Sequence, residues 1–146
     1  MALSLGERIR FVREFRGMTQ TQLAEKVGLP PGENGRIRIS QYEHGVHIPK
    51  QSMLNKISEA LDVKTLYLSE VRSEKQDFLF TLFERDRENP ILIEKHDDGR
   101  VTIDFNSEEM YIYLKEWQRK KADLQEGRIT QEQYTEWTIN LGSSGV

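Results

Sequence analysis

Apolar positions in the first half of the chain recur at helical spacing, in short runs. Ile9 and Val12 share a face between Gly6 and Arg16, with Arg8, Arg10, Arg13 and Arg16 around them. Leu23, Ala24 and Val27 share a face of the next run, which is closed at both ends. Thr19 is placed to accept the N–H of residue 22, Gln22 to reach back to the N–H of Thr19, and Gly28 suits the left-handed residue that ends a helix. After Pro49, Leu54, Ile57 and Leu61 recur on one face, and Val63, Leu66 and Tyr67 add one more short turn. Helices this short gain too few backbone bonds to stand alone. The pattern therefore predicts five short helices around one small apolar centre that includes Ile9, Leu23, Ile39 and Leu54.

The second half reads differently. Ser73 to Glu88 is helical, with Phe78, Leu79, Leu82 and Phe83 as its apolar stripe and Asn89-Pro90 as its stop. Ile91–Lys95 and Arg100–Phe105 flank His96-Asp97-Asp98-Gly99, where Asp-Gly signals a β-hairpin with Val101, Ile103 and Phe105 on one face. Ser107 caps a long helix running from Glu108 to about Glu126, and Gly127 ends it. Thr130-Gln131-Glu132-Gln133 is a capping box for a final helix bearing Tyr134, Trp137 and Leu141. Trp117 and Trp137 are expected to pack where these two helices cross, and Gly142–Gly145 reads as a frayed tail. Phe11 and Phe15, four apart on the first helix, make it unusually apolar: Phe15 is expected to widen the core and Phe11 to dock against the second half or a partner.

Between Gly28 and Ile39 lies a stretch with two prolines and two glycines, Leu29 to Arg38. It predicts an enlarged turn over 29–35, with Arg36 either the last loop residue or the first of the next helix.

Several motifs occur in order: Gly6-x-Arg8-Ile9-Arg10-x-x-Arg13, Gly17-Met18-Thr19-Gln20-x-x-Leu23-Ala24, Gly28-Leu29, Ile39-Ser40-x-Tyr42-Glu43-x-Gly45, Pro49, and Leu54-x-x-Ile57-x-x-Ala60-Leu61-x-Val63. The series resembles the lambda-repressor-like, or Xre-type, helix-turn-helix family over residues 4 to 70, with one departure: the family usually has only a handful of residues where Leu29 to Arg38 stand, which is what makes the turn enlarged. That resemblance implies a five-helix DNA-binding domain over 1–70 in a mainly α chain. An α+β extension of helix, hairpin and two helices would occupy 71–146 and serve dimerisation or partner binding. It also implies a sequence-specific regulator of transcription, a dimeric repressor on an inverted-repeat operator in double-stranded DNA. Thr19 and Gln20 would lie at the phosphate backbone, while Arg36, Ile37 and Gln41 would present the reading surface of the second helix of the motif. Arg38 and Lys50 would hold phosphates, and Arg13 and Glu43 would form a structural ion pair. Two other roles use the same residues differently. An antitoxin would hold a toxin through 71–146, and an interaction module would have lost DNA binding.

Charge qualifies this picture. The 146 residues carry a net −3, but residues 1–70 hold ten Lys and Arg against eight Asp and Glu, a net +2. Residues 71–146 hold eleven against sixteen, a net −5. The acidity belongs to the second half, and a reading head needs its positive charge on one face only. The chain has no cysteine, which excludes disulfides and thiolate metal sites and fits a cytoplasmic protein. No window is apolar enough to span a membrane. His44, His47 and His96 are isolated imidazoles without metal-ligand spacing, and no phosphate-cradling loop or nucleophile elbow is present. The expectation is a protein with no catalytic residue, metal or cofactor.

Overall fold

The computed structural model describes residues 3–140. Its elements are α1 (Leu5–Phe15), α2 (Gln20–Lys26), α3 (Glu33–Glu43), α4 (Gln51–Ala60), α5 (Thr65–Leu68), α6 (Glu74–Glu88), β1 (Leu92–Lys95), β2 (Val101–Asp104), α7 (Glu108–Gln125) and α8 (Gln131–Ile139). The fold is mainly α, with five short helices followed by the helix, hairpin and two helices of an α+β extension. The expected tail, and Leu141 with it, lies outside the described residues.

The chain divides into two units after Glu88. In the first, Ile9, Leu23, Ile39, Ile57, Leu61 and Leu68 are fully buried, one or two from each of α1 to α5 and their flanks. Each buried side chain of this size contributes about 1.5–3 kcal/mol relative to exposure. Capping sets the helix starts. Ser4 and Glu7 form a capping box at α1, as Thr19 and Gln22 do at α2.

The boundary at residue 70 falls inside this first unit, because α6 packs on the head. Phe80 meets Tyr67 edge to face at 5.5 Å, the Arg72 guanidinium lies over Phe80, and the Arg87 guanidinium lies 4.3 Å over Phe11. Buried Glu84 accepts the backbone N–H of Leu3 at 2.8 Å. The face of α6 turned inward thus carries Phe80 and Glu84. The expected stripe is left open, with Phe78, Leu79 and Phe83 exposed. Phe15 is likewise 71% exposed and does not widen the core, whereas Phe11 packs at its edge under Arg87.

In the second unit β1 and β2 pair antiparallel, with Ile93 opposite Ile103 and Lys95 opposite Val101. The turn closes through Gly99 N–H to the His96 carbonyl at 2.9 Å. Tyr111 Oη on α7 donates to Asp104 Oδ1 at 2.6 Å, which ties the hairpin to the helix. Trp117 and Trp137 both line the groove between α7 and α8. Trp117 Nε1 donates to Tyr134 Oη at 2.7 Å and Trp137 Nε1 to Glu116 Oε1 at 3.0 Å, because each indole N–H turns to a polar partner. No described residue from Asn89 to Asn140 is buried. Among the described residues no helix is long and apolar enough to cross a membrane.

Candidate nucleic-acid interface

The start of α3 corrects the expectation of an enlarged turn. The helix begins at Glu33, about a turn before the expected start at Arg36, and leaves only a short connection from Gly28 to Gly32. Gly32 makes this possible as N-cap with φ 74° and ψ −144°, a conformation that favours residues without a Cβ. Gly35 is no turn residue. It lies inside the helix, buried, where a Cβ would stand 2.2 Å from the Pro30 carbonyl oxygen and 3.0 Å from the Ala24 Cβ. The glycine lets the connection and α2 close tightly on α3.

A polar chain then holds α3 from below. Arg13 Nε donates to Glu43 Oε1 at 2.6 Å and Arg13 Nη2 to Oε2 at 3.1 Å, the two-pronged geometry that guanidinium and carboxylate favour. Arg13 Nη1 also donates to the Met18 carbonyl at 2.7 Å. Gln20 Nε2 donates to Glu43 Oε2 at 2.8 Å, and Arg36 Nη1 donates to Gln20 Oε1 at 3.3 Å. Arg36 closes the chain on Glu33, with Nε to Oε2 at 2.8 Å. That pair raises the Arg36 pKa and lowers that of Glu33, the hydrogen bond between them being the main cause.

This network sorts the sequence-derived residues. Arg13 and Glu43 are joined as an ion pair. Gln20 and Arg36 have side chains engaged inside the protein, Gln20 with Glu43 and Arg36 with Glu33. Thr19 caps α2 through Oγ1, which accepts the Gln22 N–H at 3.1 Å. Ile37 and Arg38 are exposed on α3, and Lys50 is exposed at the start of α4. Neither Arg38 nor the side chain of Gln41 has a hydrogen bond or ion pair among the described residues. His44 Nδ1 lies 2.8 Å from the Ser40 carbonyl, within its own helix.

Ile37, Arg38 and Gln41 border one open cleft together with Leu29, Pro30 and Asn34. Asn34 is the residue that the sequence reading missed. The signal was present in the spacing, since 34, 37, 38 and 41 are the i, i+3, i+4 and i+7 positions of one helical face. Only the expectation that residue 34 lay in a loop concealed it. The face thus offers an amide, a branched apolar side chain, a guanidinium and a second amide. Such groups match donor, acceptor and methyl groups on base edges in a major groove. Among the described residues no group of three or more His, Asp or Glu is placed to hold a metal ion.

Residues 6–71 match the model of a helix-turn-helix domain family. An uncharacterized HTH-type transcriptional regulator of Sinorhizobium fredii is 35% identical over 77 residues, covering 49% of this chain and 50% of the relative. Vegetative-specific protein H7 of Dictyostelium discoideum is 39% identical over 61 residues, covering 42% and 54% respectively. The chain therefore spans about half the length of these relatives. Among solved structures, the P22 c2 repressor in complex with synthetic operator 9T is 31% identical, covering 47% of this chain and 96% of that one at a TM-score of 0.41. The SinR–SinI complex is 22% identical, covering 82% and 98% at a TM-score of 0.40. Residues 6–71 belong to the helix-turn-helix domain family whose model they match, and in their motif series and five short helices they are similar to the lambda-repressor-like, Xre-type regulators.

Proposed function

We propose that this protein is a sequence-specific double-stranded DNA-binding regulator of transcription, a dimeric repressor that occludes a promoter. The observation that carries the reading is the outward face of α3. Ile37, Arg38 and Gln41 stand free on a helix whose opposite side is anchored by the Arg13–Glu43–Gln20 network. Free hydrogen-bonding groups on an anchored helix read base edges with little loss of side-chain order elsewhere. Arg38 and Lys50 take phosphates, as does the Gln20 N–H at the start of α2, beside the Thr19 cap. Arg36 adds its charge at the edge of the site, held by Glu33. The role is binding rather than catalysis, exercised on DNA in the cytoplasm.

The reading head is assigned to residues 1–70 and the joining function to 71–146, of which α6 folds with the head. The second unit supports a joining role because it buries none of its described residues while exposing Leu92, Ile93, Val101, Ile103, Ile112, Trp117 and Ile139. A hairpin and two helices without a core gain stability from a covering surface. A second copy supplies that surface and also the second reading head that an inverted repeat requires.

Selection from a random duplex library, followed by binding across a salt series, tests the proposal. The expected result is an inverted-repeat motif, bound with a steep salt dependence and read less selectively by Gln41→Ala. Weak binding without an enriched motif rejects it in favour of an interaction module. A monomer that copurifies with a co-expressed neighbour through residues 71–146 favours an antitoxin.

A further inference from the structure

Asn34 has no assigned role, and the geometry of α3 gives it one. Its side chain is exposed, makes no hydrogen bond among the described residues, and borders the same cleft as Ile37, Arg38 and Gln41. Arg36, two residues on, faces another way and is held by Glu33 and Gln20. The helix begins at Glu33, so Asn34 belongs to its first turn. Gly35 pins that turn against Pro30 and Ala24, so its orientation is as fixed as the rest of the helix.

We infer that Asn34 is a specificity-determining residue that reads an adenine beyond the positions read by Ile37 and Gln41. The inference rests on the DNA-reading role proposed above. A carboxamide is the side chain that matches adenine, accepting from N6 and donating to N7 in the major groove. Asn34 and Gln41 both carry one. At 1.5 Å per residue they are separated by about 10.5 Å along the helix axis, or about three base-pair steps of 3.4 Å. The first turn of α3 therefore widens the half-site: Gln41 and Asn34 mark two adenine-preferring positions about three base pairs apart, with Ile37 between them.

The test uses the full chain as wild type, Asn34→Ala and Gln41→Ala. Library selection with each protein gives three motifs, and 7-deazaadenine, which lacks the N7 acceptor, is then placed at each preferred adenine of the wild-type motif. The expected result is that Asn34→Ala loses preference at one position only, about three base pairs from the position lost by Gln41→Ala. Affinity for the wild-type site should fall roughly 5- to 150-fold, the range of one bidentate base contact. At that position 7-deazaadenine should weaken wild type and leave Asn34→Ala unchanged. Asn34 is exposed and Ala favours helices, so equal thermal midpoints check that the variant folds. An Asn34→Ala motif identical to that of wild type overturns the assignment while leaving the DNA-reading role standing. Failure of wild type to enrich any motif overturns both.

Discussion

Arg13 on α1 grips Glu43 at the end of α3 through two parallel N–H···O contacts, at 2.6 and 3.1 Å, with the carboxylate almost wholly buried. Removing one partner leaves the other charge in a low-dielectric setting. Arg13→Met is therefore expected to destabilise the first unit by about 3–5 kcal/mol. Arg13→Met with Glu43→Leu should cost less than the sum of the single changes. Urea unfolding of the four proteins, taken as a double-mutant cycle, measures the coupling. A coupling near zero would mean that the pair does not hold the two helices together.

Gly35 tests the fit of the recognition helix. A methyl group there meets the Pro30 backbone, which cannot swing aside as a long side chain would. Gly35→Ala gains helix propensity, about 1 kcal/mol, but the overpacking costs about 1–3 kcal/mol and pushes α3 off the connection. The expected outcome is a lower thermal midpoint together with weaker DNA binding. A variant more stable than wild type would show that α3 does not sit against Pro30.

The contribution of α6 can be read by truncation. A chain ending at residue 88 keeps Phe80 on Tyr67, Arg87 over Phe11 and Glu84 on Leu3; a chain ending at residue 70 loses all three. Denaturant unfolding should find the shorter chain less stable by about 1.5–3 kcal/mol, the scale of one buried large apolar side chain. Equal stabilities would place α6 outside the folded head.

The Asp104–Tyr111 contact gives the second unit a defined pH response. Donation by the Tyr111 hydroxyl lowers the Asp104 pKa, and the same bond raises that of Tyr111. A carboxylate lowered in the folded state contributes stability above its unfolded pKa and loses it as pH falls through its folded pKa. A phenol raised in the folded state contributes below its unfolded pKa and loses it as pH rises through its folded pKa. The contact therefore acts between those two limits. Ultraviolet titration should show late ionisation to which Tyr111 and the half-buried Tyr67 both contribute, and Asp104→Asn should return the Tyr111 share alone towards the ordinary range. A titration curve unchanged by Asp104→Asn would refute the contact.

Local chemistry made much of this protein legible in advance. The capping box at Thr19, the heptad-like return of Leu54, Ile57 and Leu61, and the Asp-Gly hairpin signal are short-range patterns. Backbone hydrogen bonding and side-chain spacing express them within a few residues, and the five helices, the hairpin and the two later helices followed from them. Ser4 belongs to the same class, since its spacing to Glu7 is a capping box that the sequence reading passed over.

Only the tertiary structure decided how those elements face one another. Two glycines and two prolines after Gly28 read as a long turn, yet Gly35 serves close packing inside a helix, a role visible only once Pro30 and Ala24 are placed against it. On α6 the most apolar stripe did not select the buried face, because Phe80 and Glu84 found partners in Tyr67 and Leu3 across long stretches of chain. The sequence by itself determined which segments are helices and strands and which family the first half belongs to. The structure decided where the recognition helix starts and which of its side chains are free, because both depend on contacts between residues that sequence spacing does not bring together.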